Sequence, residues 1–412
     1  MMTFITVNLT RGIMYKVLRV IPSLDPCLGG VVTTISELCR AIHSDTKVAS
    51  KTLVEVEILC FDDPESEWLS AFQGNVVYAL GGGGKGFSYN SRYFKWLRDH
   101  AKNYDLVVLD GLWQYHSLAP LVLTKFNVPC VMFAHGMLDP YFNQFRLKYF
   151  KKLIFWWLIY RKVIKLSNAV LFTCDEEQRL ARSSFPKSNF KSEVVKIGIS
   201  PPIMDNGLLS ESNFYHGKIG IEGKKVCLFL SRLHPKKGIL ELIDAISMES
   251  QYFLDNNYVF VIAGNGDSHF TNIIHKKIND LKLHDLVYIP GGFYGNDKWL
   301  AIKYADVFIL PTHQENFGLV LAEAMSVGTA VITTTKSNVW KEIKDSNAGL
   351  ICEDNVVSIK QCLVDWVSME EERRAKIRRD AVISFERNFS SNAYLDSFTK
   401  MIQKVLENAK AR

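Results

Sequence analysis

The stretch ADVFILPTHQENFGLVLAEAMSVGTAVITTT, residues 305–335, decides the fold. ADVFILPT (305–312) is almost continuously apolar, as a strand buried on both faces of a parallel sheet must be. LVLAEAMSVG (319–328) reads as a helix, and TAVITTT (329–335) as the next strand. Strand, helix, strand in so few residues is one βαβ unit. Two glutamates interrupt it, Glu315 in the loop and Glu323 in the apolar helix body. Carboxylates are rarely buried without a partner. Either Glu315 caps the helix and Glu323 is an odd core acid, or both face a ligand.

The same rhythm runs outward in both directions. YKVLRVI (15–21), VEVEILCF (54–61), DLVVLDG (105–111), CVMFAHG (130–136) and NAVLFTC (168–174) are strand candidates, with helical stretches such as VVTTISELCRAI (31–42) between them. Around 198–222 the pattern lapses into Pro, Gly, Ser and Asn, the best linker candidate. It restarts with KVCLFLS (225–231), YVFVIAG (258–264) and LVYIPG (286–291). The chain is therefore read as α/β, with two doubly wound parallel-sheet domains, at 14–198 and 199–391. A length of 412 residues agrees with two cores.

Composition narrows the class. A hydrophobic content of 48% with 22% charged residues describes a folded chain, and a net charge of +6 is too mild to argue for nucleic acid. The eight cysteines have no metal spacing and read as small apolar side chains in a reducing compartment. The opening MMTFITVNLTRGI lacks a leader's apolar core, and Met14 reads as the natural start of the first strand. No run reaches the roughly 18–20 apolar residues that span a bilayer.

Ligands of open α/β sheets bind beyond the carboxyl ends of the strands, so the residues just after each strand carry the argument. After the first strand, Gly29 and Gly30 open a helix whose free N–H groups suit a phosphate, although a glycine pair is also plain turn chemistry. In SRLHPKKG (231–238), Arg232 and Lys237 flank a proline turn and can neutralise a diphosphate; a solvated basic loop is the alternative. IAGNGD (262–267) places Gly264 in a second turn. Asn316, Phe317, Gly318 and Leu319 then lead into the helix that carries Glu323, whose first amides can meet an anion.

Taken together and in order, SRLHPKKG, IAGNGD and ENFGLVLAE resemble the retaining glycosyltransferases of family 4. The glycine pair and HGMLDP (135–140) match that family's first domain. The resemblance covers nearly the whole chain from Met14. It implies the GT-B architecture, two Rossmann-like domains facing a central cleft, and a nucleotide-diphosphate sugar as donor. Arg232 and Lys237 would stabilise the departing diphosphate, Glu315 would contact the sugar, and Glu323 would accept from ribose hydroxyls. The amides of Phe317, Gly318 and Leu319, with Asn316 and Gly264 nearby, would complete the cradle, and Gly30 would approach the phosphate from the first domain. His135 would contact donor sugar or acceptor, with a purely structural histidine as the alternative. Trp113, His116 and Asp139 are weaker acceptor-side candidates, and for Asp139 a helix cap is the alternative. GGFYGNDK (291–298) would lie near the base.

Fixed cations and a helix N-terminus can stabilise the leaving group without a metal. Asp62 and Asp63 are adjacent and form no Asp-x-Asp pair, so neither metal nor cofactor is expected. Retention would follow from acceptor attack on the face the diphosphate leaves, without the two carboxylates of a retaining glycosidase. GGGGKG (81–86) lacks a phosphate loop's ending and reads as a flexible loop, and no GxGxxG follows the first strand, which speaks against a dehydrogenase. RLKYFKKLIFWWLIYRKVIKL (146–166) carries seven Lys/Arg and no acid, with Trp156 and Trp157 in its centre. Such a segment suits an anionic membrane surface, or packs its apolar side on the first sheet. FERNFSSNAYLDSF (385–398) resembles the family's closing segment, whose last helix, about 392–412, returns to the first domain. The acceptor would be a glycan or a polyprenyl-diphosphate-linked glycan, and the setting cytoplasmic surface-polysaccharide assembly. A GT-B epimerase, a synthase of small glycosides, and a noncatalytic sugar-nucleotide binder are the alternatives.

Overall fold

A computed structural model describes residues 13–45, 52–83, 86–144, 146–202 and 214–411. The reading of a start at Met14 over an extension, the centre of GGGGKG and residues 203–213 of the linker candidate fall partly or wholly outside these.

The described chain divides into two compact units. The first takes residues up to Thr173, Gln178–Lys196 and everything from Tyr394 onward; the second takes Cys174–Glu177 and Ile197–Ala393. Each is built on one all-parallel sheet. The first holds β1 (Ile13–Val20), β2 (Thr52–Cys60), β3 (Val77–Ala79), β4 (Leu106–Asp110), β5 (Cys130–Phe133), β6 (Ala169–Phe172) and β7 (Ser192–Val194), in the order β3-β2-β1-β4-β5-β6-β7. The second holds β8 (Lys225–Leu230), β9 (Tyr258–Ala263), β10 (Val287–Tyr288), β11 (Val307–Leu310), β12 (Val331–Thr334) and β13 (Gly349–Cys352), in the order β10-β9-β8-β11-β12-β13. Two Rossmann-like domains are thus present.

The apolar runs become strands because helices cover both sheet faces. β4, β5, β6, β9, β11 and β12 are buried at every residue. Three strands escaped the sequence reading. β3 and β7 have three residues each, and β13 begins with a glycine, whose added Cβ would stand 2.0 Å from the Val331 carbonyl oxygen. All three are edge strands, too short to show a pattern.

In each sheet the strand order reverses once, at β1/β4 in the first and at β8/β11 in the second. Chain direction departs to opposite sides there, which opens a crevice above the carboxyl ends. The loops at those two places are the ones rich in candidate residues. The closing helix Ser391–Lys410 packs in the first unit, where Tyr394 and Phe398 are fully buried.

Candidate active site

The second unit brings three of its candidates, with one lysine the sequence did not single out, into two ion pairs. The turn Pro235–Lys237 is closed by Gly238 at φ 68°, the left-handed region that glycine adopts freely. A Cβ on Gly238 would stand 1.8 Å from the Pro311 carbonyl oxygen, so only glycine lets this turn lie against the end of β11. Two further bonds pin it: the Thr312 hydroxyl donates to the Lys236 carbonyl at 3.0 Å, and the His313 N–H donates to the same oxygen at 2.9 Å. Lys237 is thereby delivered to Glu315, and its ammonium donates to that carboxylate.

Glu315 is held from both sides of its backbone. Its N–H donates to Lys336 O at 3.0 Å, and its carbonyl accepts from the Asn338 N–H at 2.9 Å, a short parallel bridge centred on Ser337. The Asn338 amide donates to Asn316 Oδ1 at 3.2 Å. Phe317 is buried against Phe389, with ring centroids 5.6 Å apart, and fixes the turn from below. Gly318, at φ 70°, then starts the helix Leu319–Ser326. Among the described residues the N–H groups of Phe317, Gly318 and Leu319 make no hydrogen bond, so three consecutive donors remain at this helix start.

Glu323 is not an isolated core acid. Lys298, on the helix Gly295–Tyr304, donates to its Oε1 at 2.7 Å. Lys298 was invisible in sequence as a site residue, because nothing in GGFYGNDK marks one lysine as the partner of an acid 25 residues on. Arg232 is exposed and makes no hydrogen bond or ion pair among the described residues. Gly264, at φ 153°, is demanded by the fold, since a Cβ would stand 1.8 Å from the Ser231 carbonyl oxygen. His313, passed over in the sequence, bridges Glu241 (3.2 Å) and Asp354 (2.5 Å). The hydrogen-bonded Glu241 carboxylate, with Asp354 adding to it against burial, pushes His313 up to about 9.

The first unit arranges its candidates differently. Gly30 begins the helix Gly30–Asp45, Gly29 precedes it at φ 78°, and nothing lies within 4 Å of where a Gly29 Cβ would stand. The N–H groups of Gly30 and Val31 make no hydrogen bond among the described residues, the arrangement an anion needs. His135, at φ 46°, stacks on Phe133 and its Nε2 lies 2.9 Å from Asp110 Oδ1. The Asp110 carboxylate also receives Arg19, whose Nε donates at 2.8 Å, while Arg19 Nη1 donates to the Tyr394 hydroxyl at 3.0 Å. Burial would raise the Asp110 pKa, but the Arg19 charge and the His135 and Arg19 hydrogen bonds hold it at about 2.

The three acceptor-side candidates lie in the loops after β4 and β5. His116 is completely buried with Nε2 2.9 Å from the Asp110 carbonyl oxygen, and burial pushes its pKa down to about 4. It is a neutral core histidine out of reach of any acceptor. Asp139 is buried and its Oδ1 accepts from the Tyr141 N–H at 2.8 Å, so it caps the following turn. Trp113 is half-buried: its ring stacks on Tyr160 at 4.5 Å and its indole N–H donates to the Met137 carbonyl oxygen at 3.2 Å. That N–H serves the loop itself.

Comparison with known proteins follows the same division. Residues 211–382 match the family described as glycosyl transferases group 1, and residues 28–201 match glycosyltransferase family 4. A stretch of 170 residues is 31% identical to the uncharacterized glycosyltransferase MJ1607 of Methanocaldococcus jannaschii, covering 41% of this chain and 42% of that protein. The chain thus spans less than half of that relative's length. Over 337 residues, 75% of this chain and 83% of the other, it is 22% identical to the O-antigen biosynthesis glycosyltransferase WclY of Escherichia coli. The crystal structure of Anabaena Alr3699/HepE in complex with UDP and glucose has the same fold: TM-score 0.65, 17% identity, and coverage of 95% of this chain and 100% of that one.

Proposed function

The chain belongs to the group 1/family 4 glycosyltransferases, and on that premise we propose that it moves a sugar, with retention, from a nucleotide-diphosphate sugar to a glycan or polyprenyl-diphosphate-linked acceptor. The observation that carries the reading is the pair of Lys–Glu contacts, Lys237–Glu315 and Lys298–Glu323, flanking the unpaired amides of Phe317, Gly318 and Leu319.

The chemistry follows from charge. As the bond between the anomeric carbon and the diphosphate oxygen lengthens, negative charge grows on the diphosphate and positive character on the carbon. Lys237 and the three amides are fixed donors for the growing negative charge and need little rearrangement, and exposed Arg232 adds a cation that can swing to it. Glu315, turned from its lysine toward the sugar hydroxyls, orients the ring; Glu323 does the same for the ribose. Neither carboxylate transfers a proton in this scheme. The acceptor hydroxyl attacks from the face the diphosphate vacates, and its proton passes to the leaving oxygen. With these cations on the leaving group, we assign the transfer as metal-independent.

For the first unit the reading is acceptor binding. His135 is assigned to a sugar hydroxyl, and the free amide at Gly30, opened by Gly29, to an anionic group. The sequence relation to the O-antigen biosynthesis glycosyltransferase WclY supports a place in surface-polysaccharide assembly, which we assign to the cytoplasmic side of a membrane. A thermal-shift panel of UDP, GDP and ADP sugars tests the donor: one class should stabilise the protein, and the shift should shrink in Lys237→Ala. Absence of a shift from every nucleotide sugar would sink the assignment.

A further inference from the structure

The segment 146–166 is not one regular helix. It runs as Arg146–Phe155, then a wide π turn over Trp156–Tyr160, then Arg161–Leu166. Trp156 and Tyr160 are buried at 1% and 0% exposure and anchor the segment to the aromatic core of the first unit. Everything between them faces out: Trp157 is 46% exposed, Leu158 74% and Ile159 37%. A π turn rotates less per residue than an α turn, so Ile159 swings away from the buried side it would otherwise approach. Phe150 and Ile154, one and two turns earlier, are exposed at 61% and 46%. The result is a continuous apolar ridge on a soluble-type domain, a feature that marks an interaction surface.

The charges around the ridge identify what it meets. Lys151, Lys162 and Lys165 are exposed beside it. Arg161 and Lys187 lie over the Trp157 ring, 5.3 and 5.9 Å from its centroid. No acid occurs anywhere in 146–166. Apolar side chains at the centre, an indole between cations, and lysines at the rim match a lipid interface, in which acyl chains lie beneath anionic headgroups. A second copy of this chain would set lysines against lysines.

The ridge also adjoins the acceptor-side loops. Phe155 meets Phe87 at 6.2 Å and Trp113 at 6.5 Å. Phe87 in turn meets Tyr115, and the Tyr115 N–H donates to the Phe87 carbonyl oxygen at 2.8 Å. Exposed Phe87 and Tyr89 therefore extend the apolar surface to the loop that follows β4.

We infer that the ridge Phe150–Ile159 docks the first unit on an anionic bilayer, with Trp157, Leu158 and Ile159 entering the interface as a wedge beside the loop after β4. The inference deepens the acceptor reading and rests on it for its purpose: a substrate held in a membrane by its lipid would present its sugar to that loop. Flotation of the full chain with vesicles, of phosphatidylcholine alone or with one-third phosphatidylglycerol, tests it. Binding should require the anionic lipid and fall at least tenfold in high salt. Leu158→Glu, at the most exposed ridge position, should lower binding at least tenfold yet keep the wild-type melting temperature and nucleotide-sugar shift. The emission lost in Trp157→Phe should be a component that moves to the blue on vesicle binding. Equal binding by wild type and Leu158→Glu, or none to anionic vesicles at low salt, would overturn the proposal. So would self-association of the wild type that Leu158→Glu abolishes. Vesicle binding with no response to any nucleotide sugar would leave the docking standing and remove the transferase reading.

Discussion

The two sheets put ions at corresponding places and use them differently. At the β1/β4 reversal Arg19 and Asp110 are fully buried, and His135 is 5% exposed. At the β8/β11 reversal Lys237 and Glu315 keep 13% and 18% exposure, and Lys298 and Glu323 keep 26% and 14%. The first network is closed at its centre: guanidinium, carboxylate and the Tyr394 hydroxyl satisfy one another inside the protein, and the His135 imidazole joins them through Nε2. The second is a set of part-buried pairs with some access to solvent, beside three unused amides. Sealed charge must be matched internally because the interior offers no water, whereas half-open charge can exchange its partner for a ligand. Position above a sheet thus does not make an ion pair a binding device; access does.

The largest effect should come from the closed network. Arg19→Ala strands the Asp110 carboxylate, and such losses cost about 3–5 kcal/mol; urea denaturation should show it as a large fall in midpoint. A change below about 1 kcal/mol would mean the network is as exchangeable as the other one. Next comes Lys237→Ala, which should leave the melting temperature near wild type and cut transfer about 10²–10³-fold, the usual cost of one fixed electrostatic donor. Slow nucleotide-sugar hydrolysis, where measurable, should vanish with it.

Smaller and more diagnostic is the split between the acids. Glu323→Gln should mainly raise the donor KM, about tenfold, whereas Glu315→Gln should also depress kcat. Wild-type kinetics in both would defeat the assigned roles. The smallest effect concerns His313. Its raised pKa means that the stabilisation from Glu241 and Asp354 is fully present below about pH 6.5 and is lost as pH rises through about 9. The melting-temperature difference between wild type and His313→Gln should therefore narrow between pH 7 and pH 10; a constant difference would show that the bridge carries no proton.

Sequence showed most of the architecture because β5, β6, β9 and β11 are apolar throughout, and tight turns kept their glycines. Of the four edge strands, β3, β7 and β13 did not signal themselves, whereas β10 was marked by the apolar run LVYIPG. At the site, Lys237 and Glu315 could be singled out one by one, but their pairing spans 78 residues and depends on the fit of Gly238 to Pro311. Lys298 and His313 were missed for the same reason, since each acquires its meaning only from a distant carboxylate. His116 misled because a polar residue just beyond a strand looks available, while this one turns back toward the Asp110 carbonyl oxygen. Arg19 sat unmarked inside YKVLRVI, where alternation would have placed it on a solvated face.

The backbone clamp on Glu315 has a consequence for the thermodynamics of encounter. With its N–H tied to Lys336 and its carbonyl to Asn338, the loop has already lost its main-chain freedom during folding. Ordering a residue's backbone costs about 1–2 kcal/mol, and here that cost falls on folding and not on association. Only the side-chain torsions of Glu315 remain to be fixed as it turns from one partner to the next.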